Sequence, residues 1–171
     1  RHDGNDLYCH QAIRLISGNL EKAVKSPGDI AARGAMLLGS CYGGIGIDNC
    51  GTALAHNISH AVADLAPIPH GRATGLAMLA TMKWVSQGAS EAYARVAKAM
   101  SAADPVIAYD RLVRATGMKI SLEGDGLDLA KPELLAEHMA SPANAPMRKS
   151  NLRYPGDAEL VELARLVYDL H

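Results

Sequence analysis

The chain has 171 residues, 49% of them apolar, with no Phe and a single Trp, so one domain's worth of core must be built from Ala, Leu, Val, Ile and Met. A net charge of −1 leaves no electrostatic footprint for nucleic acid or an anionic membrane. No stretch approaches the roughly 20 apolar residues of a membrane span, and Cys9, Cys41 and Cys50, odd in number and irregular in spacing, form no disulfide framework and point to a reducing cytoplasm.

Hydrophobic periodicity predicts helix after helix, with no period-two strand. The first helix spans about Asn5 to Ala23 and ends at the Ser26-Pro27-Gly28-Asp29 turn, where Asp29 can cap the next. The second carries Ile30, Met36 and Leu37 and reaches the glycine-rich stretch Cys41 to Gly51. A third covers about Thr52 to Leu65 and stops before Pro67; a fourth begins at His70 and runs through Trp84. Further helices are predicted over Glu91–Met100, Pro105–Thr116, Pro132–Met139 and Asp157–Leu170, with Gly117 ending the sixth and Ser141 to Pro155 irregular. The expected fold is all-α, a compact multi-helix domain over residues 1–171.

Asp6, His10, His56 and His70 are the candidate metal ligands. Asp6 and His10 are four residues apart and share one helix face, while Pro67 and Pro69 separate His70 from His56 by a break and a new helix start. Neutral imidazoles with one carboxylate suit Zn²⁺ or Fe²⁺. Alone, Asp6-x-x-x-His10 is more often a solvated or capping pair than a metal pair, and His56-x-x-x-His60 reads as well as two core-edge histidines satisfied by backbone carbonyls. Gly43-Gly44-x-Gly46 could cradle phosphate only after a strand; following a helix, it reads as close helix packing. Cys9, about 100° around the helix from its neighbour His10, is assigned to the core. His2 and Asp3 are read as solvated terminal residues, His138 and His171 as surface residues, and Lys83, Trp84, Arg148, Lys149 and Arg153 as solvated or rim residues.

The run Gly51-Thr-Ala-Leu-Ala-His56-Asn-Ile-Ser-His60, followed by Pro69-His70-Gly71, resembles the signature of the iron-containing (group III) alcohol dehydrogenase family. Asp6-x-x-x-His10 matches the family's opening of its helical domain, and Asn144 to Asn151 its closing segment. The likeness covers nearly the whole chain but only the family's C-terminal helical half, as in dehydroquinate synthase-like folds. Gln11, Arg14, Ala63 and Asp64 depart from the family pattern, which leaves subfamily and substrate open.

The resemblance implies Fe²⁺ or Zn²⁺ held by Asp6, His10, His56 and His70, and His60 on the nicotinamide side of the site, as a cofactor contact and proton relay or as a structural histidine. It implies an NAD- or NADP-dependent alcohol dehydrogenase acting on a small alcohol or aldehyde, homo-oligomeric at full length. Cousins are glycerol dehydrogenase and maleylacetate reductase; the latter dispenses with some metal ligands, and the complete set here argues against it. The α/β half that holds most of the dinucleotide is expected upstream of this chain, so the piece alone is expected to bind metal without turnover.

Overall fold

Capping residues, prolines and left-handed glycines divide the chain into helices. The computed structural model describes residues 3–127 and 130–171. Among these, nine helices follow one another and no strand occurs: α1 (Asp3–Lys25), α2 (Ile30–Cys50), α3 (Leu54–Leu65), α4 (His70–Ser86), α5 (Ser90–Ala99), α6 (Pro105–Ala115), α7 (Pro132–Ala140), α8 (Ala145–Lys149) and α9 (Asp157–Tyr168). They fall into two units, one of residues 1–51 and 90–118, the other of residues 52–89 and 119–171.

In the first unit α1 packs on α2 and, less extensively, on α5 and α6. Asp29 caps α2 by accepting from the Ala32 N–H at 2.8 Å, and its other oxygen meets Lys22 Nζ at 2.7 Å, closing the α1–α2 turn. The helices then run antiparallel with close crossings at Gly39 and Gly46. A Cβ on Gly39 would lie 2.8 Å from Ile16 Cγ1, and one on Gly46 would lie 2.6 Å from Cys9 Sγ. At α6, Asp104 accepts from the Val106 and Ile107 N–H groups, Pro105 occupies the first turn, and Gly117 at φ +75° lies just beyond the helix end, as predicted. Buried apolar side chains here are small, chiefly Ala12, Ala32, Ala97 and Val113, whereas Leu7, Ile30 and Leu37 are 74–78% exposed.

α2 departs from the sequence expectation. It continues through Cys41 to Cys50 and ends where Gly51 turns to φ +73°. Glycine costs a helix about 1 kcal/mol relative to alanine; at Gly39 and Gly46 the close contact with α1 offsets that cost. The packing reading therefore holds for Gly46 but not for Gly43 and Gly44, where an added Cβ would meet nothing within 4 Å. The uninterrupted helix also corrects the expectation that nothing approaches a membrane span. At 21 residues, α2 is long and apolar enough to cross a bilayer by length and composition alone, a test that core helices of soluble proteins also pass.

The second unit has the larger core. Ile58 and Val62 of α3, Leu76, Leu79 and Trp84 of α4, Leu135 and Met139 of α7, and Leu160 and Leu163 of α9 are almost wholly buried. Trp84 is thus a core residue rather than a rim residue. The Arg153 guanidinium lies 3.6 Å from its ring centroid and donates to the Trp84 carbonyl at 2.9 Å, so Arg153 too is structural. Arg148 is buried, donating to the Pro155 carbonyl and Asp157. The segment expected to be irregular contains the short α8, with Pro146 in its first turn.

Candidate metal centre

The local order of α3 and α4 sets the histidines. α3 has no capping side chain of its own; instead Asn151, from far along the chain, accepts the Leu54 N–H at 2.9 Å. Asn57, fully buried, donates to the Met139 and Asn144 carbonyls at 2.8 and 3.0 Å and ties the helix to the α7–α8 segment. The chain leaves α3 at Ala66, buries Ile68, and enters α4 from Pro69. His70 is therefore the first residue of α4, and its neighbour two places on is anchored firmly. Arg72 grips Asp125 through both carboxylate oxygens at 2.7 and 2.9 Å and donates to the Lys119 and Ser121 carbonyls. Lys119 adds a third contact to Asp125 at 3.0 Å, and the Arg72 guanidinium foremost holds the Asp125 carboxyl down to about 2.

This frame gathers His56, His60 and His70 into a triangle. Ring centroids are 5.5 Å apart for His56–His70, 5.9 Å for His60–His70 and 6.4 Å for His56–His60. His56 is half-buried, and its pKa is lowered by desolvation first and then by His70 and His60. It is therefore neutral at pH 7, the form that binds a metal. His60 and His70 are exposed, and His70 Nε2 lies 3.5 Å from Thr74 Oγ1, one turn along α4.

The spacing tests whether a metal would suit these rings. An imidazole nitrogen about 2.1 Å from a tetrahedral ion puts its ring centroid about 3.2 Å out, so two ligating rings stand about 5 Å apart. The His56–His70 pair is close to that value; His60 is farther from both. Two imidazoles are half a donor set: among the described residues, no group of three or more His, Cys, Asp or Glu side chains is gathered as a ready-made cage.

Asp6 and His10 belong to the other unit, one turn apart on α1 and both half-buried. The departures Gln11 and Arg14 beside them bond each other at 3.0 Å. Cys9 is half-buried against Gly46, and burial pushes its thiol pKa up. His2 lies outside the described residues, and Asp3 is exposed at the start of α1. His138 is not a bare surface residue: its Nδ1 is 3.2 Å from Asp64 Oδ2, which joins α7 to α3 and gives the departing Asp64 a local role. His171 is exposed, and Lys83 and Lys149 are solvated as predicted. Asn57, Arg72 and Asn151, which position the histidine helices, went unnoticed in the sequence because their partners lie 47 to 97 residues away.

Residues 2–168 match the sequence profile described as the Fe-containing alcohol dehydrogenase family, C-terminal. A probable alcohol dehydrogenase EutG of Salmonella typhimurium is 29% identical over 161 residues, which are 89% of this chain and 39% of that protein. The solved structure of a 1,3-propanediol oxidoreductase superposes with a TM-score of 0.87 at 24% identity, over 98% of this chain and 46% of the other. A maleylacetate reductase from Agrobacterium tumefaciens reaches 0.82 at 20% identity, over 99% of this chain and 47% of its own. The chain thus spans about two-fifths to one half of the length of the relatives it matches.

Proposed function

The chain belongs to the Fe-containing alcohol dehydrogenase family through its C-terminal helical domain, and on that premise we propose that it is the metal-binding catalytic domain of an NAD(P)-dependent alcohol dehydrogenase. The observation that carries this reading is the facing of His56 and His70 at 5.5 Å, close to the separation of two imidazoles on one ion. His56 and His70 are the proposed ligands to Fe²⁺ or Zn²⁺, and Asp6 and His10 are proposed as ligands on the family resemblance alone; the same nitrogen and oxygen donors accept either ion.

When bound, the divalent ion supplies Lewis-acid polarisation of an alcohol or carbonyl oxygen, and the nicotinamide supplies the hydride acceptor or donor. The contribution of the chain is positional and electrostatic. Burial keeps His56 unprotonated, so it competes for metal rather than for a proton. Arg72, clamped on Asp125, fixes the first turn of α4 and with it the direction of His70. His60, exposed and one turn beyond His56, is assigned to the nicotinamide side, where its ring can pass the alcohol proton to water.

A fold shared with the maleylacetate reductase does not separate alcohol from maleylacetate chemistry; the ligand set favours the alcohol. The test is elemental analysis of the chain purified without chelator, beside His56→Ala and His70→Ala. About one Fe or Zn per chain, lost in both variants, supports the reading. A wild-type chain that stays metal-free after anaerobic loading with either ion speaks against it.

A further inference from the structure

In the first unit, two thiols share one amide. Asn5 Nδ2 lies 2.7 Å from Cys50 Sγ and 3.8 Å from Cys9 Sγ, and also 3.4 Å from the Gly46 carbonyl oxygen. The two sulfurs are therefore no farther apart than those two distances laid end to end. Packed helices ordinarily stand about 8–10 Å apart axis to axis, which is wide for a disulfide between facing positions, whose Cα atoms must come within about 4.4–6.8 Å. Here the crossing is tightened by Gly46, whose missing Cβ leaves room for the Cys9 sulfur. Cys50 follows one turn later, at the very end of α2, and is exposed, while Cys9 is half-buried.

We propose that Cys9 and Cys50 are an oxidation site, a thiol pair that a peroxide converts to a disulfide bracing the start of α1 to the end of α2. The exposed Cys50 sulfur reacts first, as the thiolate: it attacks a peroxide oxygen, the S–O bond forms as the O–O bond breaks, a sulfenic acid results, and the other oxygen leaves as water. The Cys9 sulfur then attacks the sulfenic sulfur, the S–S bond forms as the S–O bond breaks, and a second water carries away the Cys9 proton. Overall two thiols lose two hydrogens and the peroxide is reduced to two waters. Cys41 does not compete as the resolving thiol within the chain. It precedes Cys50 by nine residues on the same helix, about 13 Å along the axis and on the opposite side. The bridge fixes the turn of α1 between Asn5 and Cys9 and takes from the Asn5 amide its thiol acceptors, yet it stands whether or not Asp6 and His10 ligate a metal.

The test is peptide mapping by mass spectrometry, without reduction, of the metal-free chain after hydrogen peroxide, with Cys9→Ser, Cys50→Ser and Cys41→Ser variants in parallel. The expected result is an intrachain 9–50 cross-linked peptide in the wild type and in Cys41→Ser. Free thiols per wild-type chain should fall from three to one and be restored by dithiothreitol. In Cys9→Ser, Cys50 should remain as a sulfenic acid that dimedone traps. The proposal is overturned if wild-type Cys50 ends as sulfenic or sulfinic acid with no 9–50 bond. It is equally overturned if the only bridges run through Cys41 or between chains. The wild-type map decides the matter even if a variant fails to fold.

Discussion

His56 and His70 face each other with ring centroids 5.5 Å apart, although a helix, a turn and two prolines separate them in the chain. His60 stands 5.9 Å from His70 and 6.4 Å from His56. That difference of under an ångström predicts different roles. His70→Ala should lower metal affinity by more than the roughly 10- to 100-fold that even an outer-shell partner is worth. His60→Ala should leave metal content within about twofold of wild type, and in a fusion that supplies a relative's dinucleotide-binding half should lower kcat and shift its pH profile. Equal metal loss in both variants, measured by elemental analysis, would make His60 a ligand and the assignment wrong.

The lowered pKa of His56 carries a sign that can be checked on the metal-free chain. Burial disfavours the imidazolium in the fold, so between the folded pKa and the ordinary value of 6.5 the unfolded chain binds more protons. Stability is then fully present above 6.5 and is lost as the pH falls from there through the folded value. An NMR titration should find the His56 ring midpoint below 6.5, and His56→Gln should flatten that part of the stability profile. A His56 midpoint above 6.5 would show that neighbouring charge outweighs desolvation.

The histidine triangle was legible in the sequence because it is local: one helical turn joins His56 to His60, and Pro67 and Pro69 announce the turn that brings His70 back. The helices themselves were legible from period and capping, Asp29 and Gly117 being examples. What stayed hidden depends on tertiary partners. Nothing near Leu54 says that Asn151 will cap it, and nothing near Trp84 says that Arg153 will cover it. The sequence suggests close packing for the glycine-rich end of α2 but not its partner, the sulfur of Cys9 against Gly46, which lies on another helix.

The glycines of α2 give a paired expectation. Gly43→Ala meets nothing within 4 Å and should stabilise the first unit by up to about 1 kcal/mol through helix propensity. Gly46→Ala drives a methyl to 2.6 Å from Cys9 Sγ and should cost about 1–3 kcal/mol through overpacking. Urea unfolding of the two variants reads both. If the two substitutions behave alike, the α1–α2 crossing is not where the structure places it.

Asp125 supplies an acid-side expectation. Its folded pKa of about 2, set first by Arg72, lies below the ordinary carboxylate value near 3.8. Its contribution is therefore present above about 3.8 and is lost as the pH falls toward 2. Both partners keep some exposure to water, so Asp125→Asn should cost of order 1 kcal/mol at neutral pH. The same variant should show a shallower loss of stability between pH 4 and pH 2. A thermal melt series across that range that does not distinguish the variant from wild type would remove the clamp from the account of how His70 is held.

The final expectation separates metal binding from turnover. The chain covers 39% of the EutG relative's length, and the proposed hydride transfer needs a nicotinamide held close to the histidine triangle. The proposed ligands and His60 lie in this chain, while most of the dinucleotide contacts are proposed to come from the part of such a relative that this chain does not match. The isolated chain should accordingly take up Fe²⁺ or Zn²⁺ and show no NAD(P)-dependent oxidation of ethanol or 1,3-propanediol above the buffer rate. Fused to an upstream α/β half from a relative, it should oxidise an alcohol in a reaction abolished by His56→Ala. Robust turnover by the 171 residues alone would mean that these helices hold the dinucleotide themselves. A fused protein that binds metal and dinucleotide yet turns over no alcohol would instead move the substrate toward the maleylacetate side of the fold.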